Sequence, residues 1–340
     1  MITLIVQGLE YSVSSFTISD GVFGTCFFFG TGFHGLGCSP INLDNIKKTP
    51  VENNKVLVNN TNTNGLLITL PVQSEYTSEV NSYYLEREFL EWFAGFTDGE
   101  GNFHIRLIAL EDNTYKSAQF TFQIALHKDE IKVLEYIMNT LKCGHISKSK
   151  DKINYFVNDK NSLLYVILPI FGHVNLNSSK YHHFELFKKA VLLTKDNKHL
   201  DAKGKSAIIG YKKEMQSMTG KWIPSSINSK IKITKHWLLG FIDAAGEFST
   251  FRNIPRFKLE SHIIELELYN KIKEFLGVGK VVYTMSLANR ENRNPTIVLE
   301  VNKVKELLDV IIPLIYKDNM VLLKSLKSID FSLRLNIVDR

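Results

Sequence analysis

Two short segments of the chain combine acidic residues with small ones near the predicted ends of helices. They read FAGFTDGEG over residues 93–101 and LLGFIDAAG over residues 238–246. The first contains Glu100, whereas the second has Ala245 at the matching position. Paired carboxylates can hold hard divalent cations against scissile phosphates, an arrangement that suits two-metal phosphodiester hydrolysis. Because alanine cannot ligate a metal, Ala245 could not contribute to such a pair.

Small residues in both segments predict a close contact between two helices. Gly95 and Gly99 in the first segment, and Gly240 and Ala244 in the second, would let two helix backbones approach each other. Such a helix pair could form the interface between two copies of a repeat. Each segment also has an acid for which hydrogen bonding at the helix end is favoured over metal binding: Asp98 and Asp243.

The spacing of apolar residues predicts the elements that must position these segments. Phe89, Trp92, Phe93 and Phe96 follow helical spacing, while Phe120 to Leu126 alternate as in a half-buried strand. The same order returns after Trp237. In the first copy, helices are predicted over 84–99, 129–142, 161–171 and 180–195, and strands around 120–126 and 148–156. In the second, helices are predicted over 234–245, 264–276, 303–316 and 319–332, and strands over 247–252, 256–262, 280–287 and 296–301.

The repeat can be aligned residue by residue. WFAGFTDGEGNF (92–103) matches WLLGFIDAAGEF (237–248) without gaps, and LNSSKYHHF (176–184) matches LKSLKSIDF (323–331). The second match places Lys180 opposite Lys327. The chain is therefore predicted to be an α+β protein with two copies of an αββαββα unit.

Both segments resemble the LAGLIDADG signature of homing endonucleases and maturases, and the resemblance covers roughly residues 84–332. The W..GF.D.EG.F variant is similar to the monomeric branch from fungal mitochondria. The resemblance implies two pseudo-symmetric repeats whose antiparallel sheets form a saddle in the DNA major groove. It also implies a monomer, a mitochondrial location, an Mg²⁺ cofactor and a long double-stranded DNA site at an intron insertion point.

The resemblance carries site roles onto particular residues. It makes Glu100 a catalytic metal ligand, and it makes Lys180 and Lys327 catalytic basic residues that could stabilise phosphorane charge or polarise water. The alternative for both lysines is a solvated position at a helix start. Glu247 follows Ala245 by two residues, but as the start of a strand it is expected to point away from the metal position.

Contacts with nucleic acid are expected from polar residues on the strands. Alternation and charge select candidates for base edges or phosphates, although each could instead belong to a merely exposed strand face. In the first copy they are His104, Arg106, Gln119, Thr121, Gln123, Lys148, Lys150 and Lys152; in the second they are Arg252, Arg256 and Lys258.

The amino-terminal part has a different composition from the rest. Residues 21–37 lack charge and are rich in Phe and Gly, and residues 17–36 resemble a membrane segment of cytochrome c oxidase subunit III. This pattern indicates a mitochondrial exon read through into an intron reading frame. The predicted organisation is an exon-derived membrane-protein fragment (1–37), a disordered linker (38–82), a first LAGLIDADG domain (83–197), an inter-repeat linker (198–232) and a second domain (233–340).

Composition narrows the functional classes. The chain has 340 residues, a net charge of +6 and three cysteines without metal-site spacing, which fits a nucleic acid partner better than a disulfide or zinc protein. A membrane protein is disfavoured because no later segment is long and apolar enough, and no stable membrane association is expected. Two hypotheses remain: a site-specific DNA endonuclease impaired at Ala245, and an RNA maturase that assists splicing of its own group I intron without cutting.

Overall fold

The computed structural model divides the chain into two compact units, residues 1–55 and 56–340. In the first unit, β1 (Ile2–Val6), β2 (Leu9–Thr17) and β3 (Phe23–Phe28) form an antiparallel sheet in that order. None of the helices among the described residues is long and apolar enough to cross a membrane. The structure describes residues 2–6, 9–17, 23–28, 65–71, 81–109, 115–218, 231–251, 254–284, 295–316 and 324.

The first copy of the repeat follows a short antiparallel hairpin of β4 (Gly65–Leu70) and β5 (Asn81–Glu86). Its elements alternate between helices and strand pairs, as the sequence predicted. They are α1 (Arg87–Glu100), β6 (Gly101–Ala109), β7 (Tyr115–His127), α2 (Ile131–Leu141), β8 (His145–Lys148), β9 (Lys152–Val157), α3 (Lys160–Ser162), α4 (Leu168–His173) and α5 (Lys180–Lys195).

The second copy repeats this order after a connecting helix, α6 (Ala202–Met218). In each copy, a π-helical turn joins two short helices at the matching place, Leu163–Ile167 in the first and Leu307–Ile311 in the second. The elements are α7 (Lys235–Ala245), β10 (Gly246–Phe251), β11 (Ile254–His262), α8 (Leu266–Leu276), β12 (Lys280–Thr284), β13 (Thr296–Val301), α9 (Val304–Glu306) and α10 (Ile312–Tyr316). The last predicted helix, 319–332, lies outside the described residues except for Lys324.

Each copy contains a four-stranded antiparallel sheet, ordered β6-β7-β9-β8 in the first and β10-β11-β13-β12 in the second. In β6, β7, β9, β11 and β13, alternate residues are buried, so the sheet of each copy has one apolar face and one polar face. The apolar faces pack against the helices: Phe93 of α1, for example, stacks on Phe171 and meets Phe122 edge-on. The predicted α+β architecture is confirmed.

The helices α1 and α7 pack face to face through their glycines. A Cβ atom at Gly95 would overlap the carbonyl oxygen of Trp237, and one at Gly240 would overlap that of Trp92. The two contacts are equivalent by the pseudo-twofold symmetry that relates the copies. Only residues without side chains allow these backbones to come so close. The predicted small-residue interface between copies is therefore present.

Two predicted linkers contain regular structure. Within 38–82, strand β4 puts Leu66 and Ile68 into the hydrophobic core, so the disordered-linker prediction is wrong for residues 65–70. Within 198–232, α6 buries Ile208 and Met215. The sequence did not predict either element, because a short hairpin and a lysine-rich helix show only weak periodicity of apolar residues. Tertiary contacts decide which of their few apolar residues are buried.

Candidate nucleic-acid interface and acidic centre

Asp98, near the end of α1, is a structural acceptor. It is 4% exposed and accepts hydrogen bonds from the backbone N–H groups of Asn177 (2.8 Å) and Ser178 (3.0 Å) and from Trp237 Nε1 (2.8 Å). Burial raises the pKa of this carboxyl, while these donors act in the opposite direction. Because all of its partners donate, Asp98 ties α1 to the start of α5 and to α7 of the other copy, and it is not free to hold a metal.

Asp243 occupies the corresponding place in α7. It is fully buried and accepts the backbone N–H of Lys324 at 3.0 Å. The segments around Asn177 and Lys324 therefore meet the two motif helices in the same way. This agrees with the sequence alignment, which placed these two residues opposite each other.

Glu100 is the motif acid of the first copy, and its nearest partner is a lysine of the second copy. Its Oε1 lies 2.6 Å from Lys324 Nζ, which also donates to the carbonyl of Ala244 at 3.0 Å. Ala245 ends α7, where the second acid would stand. Glu247 is on the exposed face of β10, with Oε2 3.7 Å from Lys258 Nζ.

Lys180 closes the carboxyl end of α1. Its Nζ donates to the carbonyl oxygens of Gly99 (2.7 Å) and Thr97 (3.2 Å), where it complements the negative end of the helix. Burial lowers the pKa of this ammonium, an effect that the nearby carboxylates of Asp98, Glu100 and Glu265 oppose. The side chain of Lys180 is partly buried, unlike the solvated helix start that the sequence left open.

Among the described residues of the second copy, Lys324 makes the equivalent contact with its ammonium group. It caps α7 through Ala244, just as Lys180 caps α1 through Gly99. The sequence alignment paired Lys180 with Lys327, which lies outside the described residues. The sequence alignment did not identify Lys324, because it places this residue opposite Asn177 and not opposite Lys180. Only the direction of the Lys324 side chain brings its ammonium group to the ends of the motif helices.

The polar face of the first sheet brings most of the predicted contact residues together. Strand register sets His104 opposite Thr121 and Arg106 opposite Gln119. Gln123 donates to Asn154 Oδ1 at 2.9 Å, which extends the face onto β9. The described strands β6, β7, β8 and β9 contribute no Asp or Glu to this face, so it can accept phosphates without displacing an acid.

The three predicted phosphate-binding lysines do not share a surface. Lys148 pairs with Ile153, whose side chain is buried in the core, so Lys148 belongs to the helix side of the sheet. Lys150 lies in the turn, and Lys152 pairs with His127 on the polar side. Lys148 therefore lies on a different face from Lys152, because residues an even number apart share a face only along one unbroken strand, and phosphate binding by these lysines stays a prediction.

On the polar face of the second sheet, basic side chains form ion pairs with glutamates of the same sheet. Arg256 Nη1 lies 3.2 Å from Glu300 Oε1, and Lys258 Nζ lies 2.5 Å from Glu260 Oε2. The hydrogen bond that Lys258 donates to the Glu260 carboxylate raises the pKa of Lys258. Both predicted basic residues are thus on the expected face, with acidic neighbours that the sequence analysis did not consider. Arg252 lies outside the described residues.

Helix α6 adds a basic residue that sequence reasoning did not select. Lys212 lines a cavity of about 160 Å³ together with His104 and His183, at the edge strand β6. Burial, followed by the charges of Lys212 and Arg106, lowers the pKa of His104. The lysines of α6 were the available signal, but a lysine-rich connection gives no indication of which strand it meets.

The arrangement at the helix ends does not match a two-cation site. Among the described residues, no group of three or more His, Cys, Asp or Glu side chains could hold a metal ion. Asp98 and Asp243 are engaged in structural hydrogen bonds, Ala245 has no ligand atom, and Glu100 is paired with Lys324. One carboxylate is available where two cations require two or more.

Comparison with known protein families gives two matches along the chain. Residues 93–191 match the family model of the LAGLIDADG endonuclease, and residues 1–41 match that of cytochrome c oxidase subunit III. The second match is supported by subunit 3 of Pyricularia grisea, 90% identical over 30 residues, which are 9% of this chain and 11% of that protein. The predicted exon resemblance is confirmed and extends beyond residue 37.

Relatives of the remaining chain come from fungal mitochondria. The uncharacterized mitochondrial protein RF1 of Saccharomyces cerevisiae is 28% identical over 264 residues, covering 72% of this chain and 53% of the relative. The probable intron-encoded endonuclease Cox1-I1b of Schizosaccharomyces pombe is 30% identical over 195 residues, covering 55% and 49%. The chain thus spans about half the length of these relatives. The mitochondrial assignment is confirmed.

Solved structures share the fold. The homing endonuclease I-GzeII in complex with its DNA target is 25% identical, with a TM-score of 0.60 over 73% of this chain and 89% of that one. I-SmaMI bound to uncleaved DNA in the presence of calcium ions is 23% identical, with a TM-score of 0.62 over 73% and 90%. The saddle of two pseudo-symmetric sheets predicted from the sequence is confirmed.

Proposed function

We propose that this chain, a LAGLIDADG protein of the intron-encoded homing endonuclease type, binds a long double-stranded DNA site at an intron insertion point. The polar face of the first sheet carries the proposal, because His104, Arg106, Gln119, Thr121 and Gln123 form one continuous surface without an acid among the described residues. Such a face can contact base edges and phosphates together. Since both copies lie in one chain, a monomer supplies both halves of the interface.

We further propose that phosphodiester hydrolysis is impaired. The resemblance implies Mg²⁺ held by an acid from each copy, but of the two matching motif positions only that of the first copy carries an acid, Glu100, and Lys324 already pairs with it. Glu247 does not replace the missing acid, since its carboxylate faces Lys258 on the sheet. The chain is expected to nick one strand at most.

The second candidate function is that of an RNA maturase for its own group I intron. The incomplete acidic centre favours it, because a splicing cofactor needs the basic surface but not the pair of acids. Within this hypothesis, the same sheets bind folded RNA and cleavage is dispensable.

One experiment separates the candidates. The purified protein is incubated with DNA spanning the intronless subunit 3 exon junction, with and without Mg²⁺, and separately with the intron RNA. Nanomolar binding of the DNA over scrambled DNA supports the first proposal. Preference for the intron RNA, with accelerated splicing and no DNA preference, supports the second. Binding to neither would contradict both.

A further inference from the structure

The ammonium of Lys324 lies between the ends of the two motif helices and joins one copy to the other. The residue is 7% exposed. Its Nζ is 2.6 Å from Glu100 Oε1 and 3.0 Å from the carbonyl of Ala244, and it lies 5.6 Å from the centre of the Phe96 ring. Every one of these partners presents negative charge or electron density to a cation.

The pseudo-symmetry shows why this contact exists only once. Lys180 and Lys324 cap α1 and α7 in the same manner. The symmetric counterpart of Glu100 is Ala245, so the counterpart of the Lys324–Glu100 pair would join Lys180 to a methyl group. The chain therefore retains one acid and one inter-copy ion pair at this centre.

Charge balance gives the pair a function. A lysine as buried as Lys324 needs an anion nearby, because an unpaired buried ammonium is strongly destabilising. Once Glu100 supplies that anion, its carboxylate is neutralised. A divalent cation placed beside it would meet the repulsion of the ammonium and would find few oxygen ligands.

We propose that the Lys324 ammonium is a built-in replacement for the divalent cation at Glu100. The ammonium holds the two copies in register and presents positive charge between the ends of the two motif helices. It thereby makes nucleic acid binding independent of divalent metal. This inference deepens the proposed function and rests on its assignment of Glu100 as the remaining acid of the centre.

Calcium titration of the protein without nucleic acid tests the proposal directly. Isothermal titration calorimetry compares the unaltered chain with Lys324→Met, which keeps the side-chain length and removes the charge. The variant is expected to bind Ca²⁺ at least about tenfold more tightly, since the Glu100 carboxylate no longer has an ammonium group beside it. This gain should vanish in the double variant Lys324→Met/Glu100→Gln.

Lys305→Met is the matched control, because Lys305 also pairs with a carboxylate, Asp309 at 2.7 Å, but lies outside the motif helices. It is expected to bind Ca²⁺ no more tightly than the unaltered chain. Equal Ca²⁺ affinity in the unaltered and Lys324→Met proteins would overturn the proposal. So would a gain that survives Glu100→Gln or one that also appears in Lys305→Met.

A second measurement needs no variant and covers the case in which Lys324→Met does not fold. The unaltered chain is titrated with the exon-junction duplex in EDTA and in Ca²⁺ at matched ionic strength. The two dissociation constants should agree within about twofold. An increase in affinity of about tenfold in Ca²⁺ would overturn the proposal. If no duplex binds at all, the proposed function fails, and the calcium titration still decides the role of Lys324.

Discussion

At the scale of single residues, the acids of the two motifs have different tasks. Asp98 accepts a hydrogen bond from Trp237 of the other copy and Asp243 accepts one from the backbone of Lys324, whereas Glu100 forms an ion pair with the Lys324 side chain. The replacement at Ala245 therefore removes a ligand without removing a structural support. Binding and fold can persist where cleavage does not.

Ala245→Glu is expected to raise double-strand cleavage, because it restores one acid per copy and gives the cations a second anionic position. Glu100→Ala should abolish any remaining nicking and leave duplex affinity nearly unchanged. A plasmid assay that separates supercoiled, nicked and linear DNA measures both. Efficient linearisation by the unaltered chain would contradict the assignment of Ala245.

Asp98→Asn is expected to destabilise the fold by about 2–4 kcal/mol, because the introduced amide donor would face the donors that now point at the carboxylate. Urea unfolding measures this loss. Asp159→Asn is the matched control: Asp159 accepts the N–H of Ser162 at 2.8 Å as a helix cap, and asparagine caps equally well. Similar losses in both variants would show that the Asp98 network is not special.

At the scale of elements, the helix pair and the two sheets differ in how strictly they are specified. The α1–α7 contact depends on glycine at equivalent positions of the two copies. The sheets share topology and register but differ in charge: the first has an acid-free polar face along its described strands, whereas the second pairs its basic side chains with glutamates. The saddle is symmetric in shape and asymmetric in electrostatics.

Gly95→Ala is expected to lower stability by about 1–3 kcal/mol, and Gly95→Leu by more, because the added atoms collide with the backbone of α7. Gly210→Ala serves as control, since a Cβ there meets nothing within 4 Å. The control should be neutral, or more stable by about 0.5–1 kcal/mol, as for any exposed helical glycine. Thermal unfolding distinguishes these outcomes, and a tolerated Gly95→Leu would place the interface elsewhere.

Glu300→Gln is expected to strengthen duplex binding about twofold to fivefold at low salt, because it removes the negative charge beside Arg256 on the polar face of the second sheet. The salt dependence of binding should steepen by about one unit in slope. Asp309→Asn is the control, since it breaks the Lys305 pair on a helical turn outside the sheet. Unchanged binding in Glu300→Gln would mean that the second sheet does not contact phosphates.

At the scale of the whole molecule, the hydrophobic core of the first copy begins before its first helix. Strand β4 packs Leu66 and Ile68 into the core ahead of the motif. A fragment of residues 57–340 should therefore be more stable than one of residues 81–340, by about 1.5–3 kcal/mol for each buried side chain that is lost. Denaturant unfolding of both fragments tests this, and equal stabilities would contradict the core assignment of β4.

The sequence by itself determined the duplicated architecture, the glycine interface and the missing acid, because each depends on local periodicity or on an alignment of the chain with itself. Tertiary structure decided the rest. Lys324 could not be recognised as the partner of Lys180, since their backbones are out of register and only the side-chain direction brings the two ammonium groups to equivalent places. Lys148 looked equivalent to Lys152 until the turn between them separated their faces. The ion pair of Arg256 with Glu300 depends on which strand lies beside β11, a pairing between distant residues that local patterns do not encode.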